Sequence, residues 1–367
     1  MTETPRVLEI LGRSAGGVAR HVADVVGGLD GREGSTVEAA GPPGLPIAIP
    51  NLIHEVSIPD GAIGGHAGAI RRLRTITGDG RYDVLHAHGL RAGVDTLLAA
   101  RGRRMRAFVT LHNLALPTES PLRTFLQGRA ERFVLERADL VLAPSVQVAE
   151  HLKSRSPRRA DRVEVLHVAV AEPPEPRRTR AEIRTECGVP TNAGLIVAAA
   201  RLAPQKDLGT LLRAVEQVDG AVLIILGEGP QEEELRALAT SLDIEDRVRF
   251  AGFRRDIHDF IRAADVLSLS SLWEGVALVA QEAVAVGTPV VSTNVGGIGE
   301  LIEDRFSGRL VPPRDPRALA TALRDTLASP DVARAFALRA RAALVQNFDR
   351  EKMLTRLLEL YRTPADV

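Results

Sequence analysis

Cysteine is almost absent from this chain: Cys187 stands alone among 367 residues. A single thiol excludes an intramolecular disulfide framework and a cysteine-based zinc site. Lysine is nearly as scarce. Lys153, Lys206 and Lys352 are the only three, so a lysine inside a motif carries unusual weight. Excess charge of one sign is missing too, because 47 basic and 47 acidic residues cancel, and nothing global points to nucleic acid. No apolar run approaches the roughly 18 residues that span a bilayer. The polar stretch Met1–Arg6 leads directly into a strand pattern, with no signal-peptide character. A cytoplasmic protein is the expectation. What is present is the composition of a soluble globular protein, 45% hydrophobic and 26% charged, with length enough for two domains.

Short apolar runs alternate with amphipathic helical stretches from end to end. The pattern predicts strands at Arg6–Ile10, Val84–His88, Ala107–Leu111, Leu140–Ala143 and Val163–Leu166. A second series follows at Leu195–Ala199, Val222–Leu226, Val248–Ala251, Val266–Ser270 and Pro289–Ser292. Runs such as Val222-Leu223-Ile224-Ile225-Leu226 are apolar on both faces, as parallel strands covered by helices require. Alternation of this kind argues for doubly wound α/β sheets. Between the two series, Ala171–Arg178 carries three prolines in four positions, which cannot continue a helix or central strand. A linker there divides the chain into residues 1–172 and 173–345. A last helix near Arg350–Tyr361, within 346–367, is expected to pack back on the first domain. Two such domains would face each other across a cleft at the carboxyl ends of their strands, where ligands of open α/β sheets bind.

Two glycine-rich turns resemble nucleotide loops without matching them. Gly12-Arg13-Ser14-Ala15-Gly16-Gly17-Val18 has P-loop glycine spacing, but Val18 stands where the motif needs lysine. Gly227-Glu228-Gly229 follows a strand and opens a helix, but Glu232 replaces the third glycine of a dinucleotide fingerprint. Gly16-Gly17 still allows backbone amides to approach a diphosphate at a helix start, against ordinary turn geometry as the plain alternative.

The second half is richer. After the strand ending at Ala200 come Arg201 and Lys206, with Asp207 as an N-cap or first-turn residue of the next helix. Two cations at the mouth of a sheet suit a diphosphate leaving group; the alternative is a pair of solvated surface cations. Farther on, Glu274 and Glu282 are eight residues apart. In one continuous helix they would stand about 80° apart, loosely on one face. The spacing fits better with Glu274 in a loop and a helix starting near Val276 and ending by Gly287, so that the amides of Ala277, Leu278 and Val279 face the ligand. Carboxylates there can accept hydrogen bonds from vicinal hydroxyls of a ribose or hexose. The plain alternative makes both surface carboxylates.

As an ordered series, Arg201 with Lys206, Glu274-x7-Glu282, Gly287-Thr288-Pro289-Val290-Val291 and Gly296-Gly297 through Glu300 resemble the donor domain of retaining GT-B glycosyltransferases of family 4. The resemblance extends over nearly the whole chain, through Gly16-Gly17-Val18, His86-Ala87-His88-Gly89, Thr110-Leu111-His112-Asn113, and Arg137–Val141 with Pro144-Ser145. It implies a GT-B fold, α/β with two Rossmann-like doubly wound domains. It implies a metal-independent hexosyl transfer from a nucleotide-diphosphate sugar to a hydroxyl acceptor, which is a glycan, glycolipid or small molecule. A cell-envelope glycan suits this class. Arg201 and Lys206 would hold the diphosphate, Glu274 the transferred sugar, and Glu282 the ribose. Ala277, Leu278 and Val279 would line the sugar and phosphate pocket, with Phe253 and Arg254 near the base. Gly16 and Gly17 would close over the diphosphate, and His112 would reach the sugar or acceptor side. No cofactor is implied, since the nucleotide sugar is a substrate.

The chain departs from the family pattern at Asp207, where glycine is frequent, at Gln281, and at Gly299, where proline is common. His86 and His88 share one strand face by period 2. They read as polar strand-end residues in preference to a metal pair, and no metal-ligand cluster is evident. The basic runs Arg71-Arg72-x-Arg74 and Arg101-x-Arg103-Arg104-x-Arg106 suit either solvated helix ends or peripheral contact with an anionic membrane. A GT-B sugar-nucleotide epimerase and a non-catalytic nucleotide-sugar-binding protein are the competing functions.

Overall fold

A computed structural model describes residues 4–14, 16–45, 47–61, 64–78, 80–113 and 120–363. They form two compact units, one of residues 1–169 with 350–367 and the other of residues 170–349.

In the first unit the chain runs β1 (Arg6–Leu11), α1 (Gly17–Leu29), β2 (Thr36–Gly41), β3 (Leu52–Glu55), α2 (His66–Ile76), β4 (Val84–His88), α3 (Leu90–Ala100), β5 (Arg106–Thr110), α4 (Pro121–Arg137), β6 (Leu140–Ala143), α5 (Val146–Arg155) and β7 (Val163–Val165). The strands pair in parallel in the order β3-β2-β1-β4-β5-β6-β7. Strand order reverses between β1 and β4. Helix starts follow local chemistry: Ser120 and Ser145 accept from the backbone amides of Arg123 and Val148, which have no intrahelical partner. The apolar core lies between sheet and helices, from Leu8 and Ile10 through Leu85, Val109 and Val141 to Leu135 and Leu152.

The second unit runs α6 (Arg180–Glu186), β8 (Gly194–Ala199), α7 (Leu208–Glu216), β9 (Ala221–Leu226), α8 (Glu232–Ser241), β10 (Val248–Phe250), α9 (Ile257–Ala263), β11 (Val266–Leu269), α10 (Leu278–Ala285), β12 (Val290–Thr293), β13 (Arg309–Val311), α11 (Pro316–Ala328) and α12 (Pro330–Asn347). Its parallel sheet has the order β10-β9-β8-β11-β12-β13, with the reversal between β8 and β11. Every residue of β9 is buried, as its two-sided apolar run requires. Residues 171–176 belong to no helix or strand.

The closing helix α13 (Arg350–Arg362) belongs to the first unit. Its face Met353, Leu354, Leu357, Leu358 and Tyr361 is buried. Leu354 lies so close over Gly28 of α1 that a Cβ there would come within 2.5 Å of its Cδ1.

All ten expected strands are present within a residue or two at each end. Three more, β2, β3 and β13, are not announced by the sequence pattern. The last two are edge strands of four and three residues. β2 reads Thr-Val-Glu-Ala-Ala-Gly, with too little apolar bulk to stand out.

Candidate active site

Unit 2 carries Arg201, Lys206 and Glu274 in the loops at the strand-order reversal. β8 and β11 are neighbours, so the loops that follow them emerge side by side at the sheet's carboxyl edge, the usual ligand position in such folds. Hydrogen bonds stitch the two loops together. The Leu272 amide donates to the Gln205 carbonyl at 2.8 Å, and Ser270 Oγ to the Lys206 carbonyl at 2.9 Å. Thr293 Oγ1, from β12, donates to the Ser271 carbonyl at 2.7 Å.

Glycines set the height of these loops. A Cβ on Gly296 (φ +62°) would stand 2.0 Å from the Glu274 carbonyl oxygen, and the Gly297 amide donates to the Gly275 carbonyl at 3.1 Å. A Cβ on Gly227 (φ +129°) would stand 2.0 Å from the Ala200 carbonyl oxygen, and one on Gly229 2.2 Å from that of Leu202. The Gly227-Glu228-Gly229 turn is thus a packing surface for the Arg201 loop, with the Leu202 amide donating to the Glu228 carbonyl at 3.0 Å.

Within this frame Lys206 donates to Glu274 Oε1, which also accepts from Ser271 Oγ at 2.6 Å. One donor direction of the ammonium is used, leaving two for a ligand. Arg201 is exposed. Asp207 occupies the N-cap position of α7, but its carboxylate caps no amide. It accepts from Thr210 Oγ1 at 2.7 Å, while its backbone is left-handed at φ +43°. That conformation accounts for glycine being frequent there in the family, and aspartate tolerates it better than most side chains.

α10 begins at Leu278 with Ala277 at its N-cap, two residues later than expected. The Leu278 amide donates to the Val276 carbonyl at 3.1 Å, while the amides of Ala277 and Val279 make no backbone bond among the described residues. Glu282 is buried in the same helix, with one carboxylate oxygen 3.3 Å from His258 Nε2. Gln281, one of the departures, accepts from the Val170 amide at 3.2 Å.

Phe253 is exposed, and its amide donates to Glu228 Oε1 at 3.3 Å. Arg254 is committed elsewhere. It donates to both oxygens of Asp256 at 2.8 and 2.7 Å, lies 3.4 Å from Glu186, and covers the Phe260 ring. These partners hold its guanidinium above even the usual arginine range, the hydrogen bond to Asp256 first among them.

Unit 1 carries the remaining candidates. Gly16 and Gly17 are exposed at the start of α1, Gly16 at its N-cap with open space around its α-carbon. His112, after β5, is buried beside His88, with His112 Nε2 3.1 Å from His88 Nδ1 and the two rings stacked. His21, on the buried face of α1, meets both edge-on. Beneath them Glu9 Oε2 accepts from His88 Nε2 at 2.6 Å, and Oε1 accepts from the Tyr361 hydroxyl at 2.7 Å. His86 bridges the Tyr361 hydroxyl and Thr110 Oγ1 at 2.6 and 2.7 Å. Burial alone would raise the Glu9 carboxyl, but His86 and His88 together hold it well below the carboxylate range. Burial first, then neighbouring histidines, push His21, His88 and His112 below the ordinary histidine value. Of the basic runs, Arg103 and Arg106 are tied down, Arg103 to Thr77 Oγ1 and the Arg74 carbonyl, Arg106 to carbonyls of Leu360 and Tyr361.

Sequence reasoning misses Ser271, His258 and the three packing glycines as parts of the site. A serine or histidine carries no role without its neighbours, although Gly296-Gly297 stands in the family series.

Residues 179–343 match the family model described as "Glycosyl transferases group 1", and residues 15–171 that described as "Glycosyltransferase Family 4". A D-inositol 3-phosphate glycosyltransferase of Xylanimonas cellulosilytica is 31% identical over 320 residues, 82% of this chain and 76% of that protein. The chain is a family 4 glycosyltransferase. The lipopolysaccharide core biosynthesis glycosyltransferase LpsE of Rhizobium meliloti is 34% identical to this glycosyltransferase over 183 residues, 50% of this chain and 54% of LpsE. In fold, the glycosyltransferase is similar to HepE of Anabaena, solved in complex with UDP, at a TM-score of 0.80 and 22% identity over 97% of this chain and 99% of that one. WaaG, a glycosyltransferase involved in lipopolysaccharide biosynthesis, gives 0.78 at 16% identity, again over 97% and 99%. Two parallel-sheet Rossmann-like domains of the GT-B class are therefore its architecture.

Proposed function

We propose that this glycosyltransferase moves a hexosyl-type sugar from a nucleotide-diphosphate donor to a hydroxyl acceptor, with retention of configuration and without a metal at the diphosphate. The observation that carries the proposal is the Lys206–Glu274 pair, braced by Ser271 at the strand-order reversal of unit 2. Arg201 and the two uncommitted donor directions of Lys206 suit the phosphate oxygens, whose charge grows as the sugar departs. These cations supply the positive charge that a metal would otherwise provide there. Glu282 suits the ribose hydroxyls and Phe253, exposed after β10, the base. Arg254 supports the base-side loop through its pairs with Asp256 and Glu186. Retention is supported by the position of Glu274, which is engaged by Lys206 and Ser271 and so is a poor nucleophile. A front-face path fits better, in which the departing phosphate takes the acceptor proton and the protein supplies orientation and charge. Relatives named as D-inositol 3-phosphate and lipopolysaccharide core glycosyltransferases support a hydroxyl acceptor of the polyol or glycan kind.

The test is a thermal-shift panel of nucleotide sugars, followed by assay of nucleotide diphosphate release from the donor that binds. Release of nucleotide diphosphate is expected, and calorimetry should show weaker nucleotide diphosphate binding in Glu282→Ala. Isomerised nucleotide sugar without release would replace the transferase reading with an epimerase. Unchanged affinity in Glu282→Ala would remove that residue from the ribose.

A further inference from the structure

We propose that His21, His88 and His112 form a three-histidine site for a divalent transition-metal ion, with zinc the best match, buried in unit 1. Each histidine offers one ring nitrogen, and the three lie within 4.8 Å of one another. In a tetrahedral zinc site, Zn–N bonds of about 2.0–2.1 Å put ligand nitrogens about 3.3 Å apart. His88 Nδ1 and His112 Nε2, at 3.1 Å, already have that spacing, and the His21 nitrogen lies within 4.8 Å of both.

The hydrogen-bond accounting favours an ion. His88 Nε2 faces Glu9 at 2.6 Å, which places the proton on Nε2 and leaves Nδ1 with a lone pair directed at the other two rings. Carboxylate-oriented histidine is the usual support for a metal ligand. His21 is 1% exposed, and among the described residues neither of its ring nitrogens has a partner. A buried imidazole left neutral carries an N–H and a lone pair that each need one. An ion takes up the lone pair of His21 along with those of His88 and His112, and buried Glu9 supplies negative charge against it. The second cluster here, Glu9 with His86 and His88, is excluded because His86 is already satisfied by Tyr361 and Thr110. Imidazole nitrogens select zinc, copper, nickel or iron over magnesium or calcium. Three protein ligands leave a fourth position for water. None of this rests on the diphosphate chemistry proposed for unit 2.

The experiment uses full-length, tag-free protein stripped by a chelator, then titrated with Co²⁺ followed by visible absorption and with Zn²⁺ in competition. One equivalent should bind with the absorption of a nitrogen-ligated, low-coordinate ion, displaced by Zn²⁺. His21→Gln and His88→Gln should each weaken binding by about 100-fold or more, and Glu9→Gln by about 10–100-fold, as for loss of an orienting partner. His21→Gln decides the matter if the others fail to fold, since the His21 ring makes no hydrogen bond among the described residues; circular dichroism confirms its fold. No saturable binding at one equivalent overturns the proposal. So does wild-type affinity in folded His21→Gln, which would assign the ions to other histidines.

Discussion

The two sheets end differently. At the carboxyl edge of unit 1, strand ends and the loop after β5 carry His86, His88 and His112, which turn inward toward Glu9, Tyr361, Thr110 and each other. At the same edge of unit 2 the strands end in uncharged residues, from Ala199 of β8 to Thr293 of β12, and Arg201, Lys206 and Glu274 lie in the loops beyond β8 and β11. There Lys206 is part-exposed and Arg201 exposed. The same topology thus supports a closed polar cluster in one unit and an open charged loop in the other. What separates them is backbone height. Gly227, Gly229 and Gly296 let the unit 2 loops lie directly on one another, so side chains no longer needed to fill that space can face a ligand.

The largest effect should come from removing charge at the open edge. Lys206→Ala should slow transfer by about 10²–10³-fold, the usual cost of one preorganised donor aimed at developing charge. Steady-state turnover on the donor found by the panel measures it. Near-normal turnover would make the unit 2 edge as self-contained as that of unit 1 and would end the contrast. Next comes the scaffold. Gly296→Ala puts a methyl 2.0 Å from the Glu274 carbonyl oxygen, so the Glu274 loop must shift by about 1 Å or more. Displacement of that size costs on the order of 10²-fold in rate. A folded Gly296→Ala enzyme with wild-type kinetics would show that glycine packing does not hold the loop in register.

Much of this is legible in the amino-acid sequence. Runs such as Ala221–Leu226 declare a two-sided parallel strand, and ten strands follow from that signal. Arg201, Lys206, Glu274 and Glu282 stand out because their order matches a family, and two adjacent loops and one helix do carry them. The histidine cluster is not legible. Glu9, His21, His88 and His112 come from β1, α1, β4 and the end of β5, joined by sheet register, in which Glu9 pairs with His86 and His88 with Thr110, and by the buried face of α1. No spacing in the sequence encodes that meeting. The support given by His258 to Glu282 is hidden for the same reason, since it joins α9 to α10.

The smallest effect sharpens the comparison from within unit 1, where not every histidine is forced neutral. His66, at the start of α2, has Nδ1 2.9 Å from both oxygens of Asp95 and Nε2 2.9 Å from the Gly61 carbonyl. Both nitrogens face acceptors, so only the imidazolium can donate to both. Partial burial works against that charge, but the Gly61 carbonyl and Asp95 outweigh it and raise the His66 value above the ordinary one. Asp95 is itself raised, because its own burial exceeds the help from His66. The sign follows from linkage. A raised folded-state value means that the His66 contribution is complete below about pH 6.5 and is lost as pH rises through the folded-state value. Because the pair is part-exposed, about 1 kcal/mol or less is at stake. Urea midpoints of wild type should therefore decline more between about pH 6 and 8.5 than those of His66→Gln, and the His66 ring resonance should titrate above about 6.5. A titration at or below that ordinary value would place His66 with His21 and His112, neutral by burial, and leave unit 1 with one rule for its histidines instead of two.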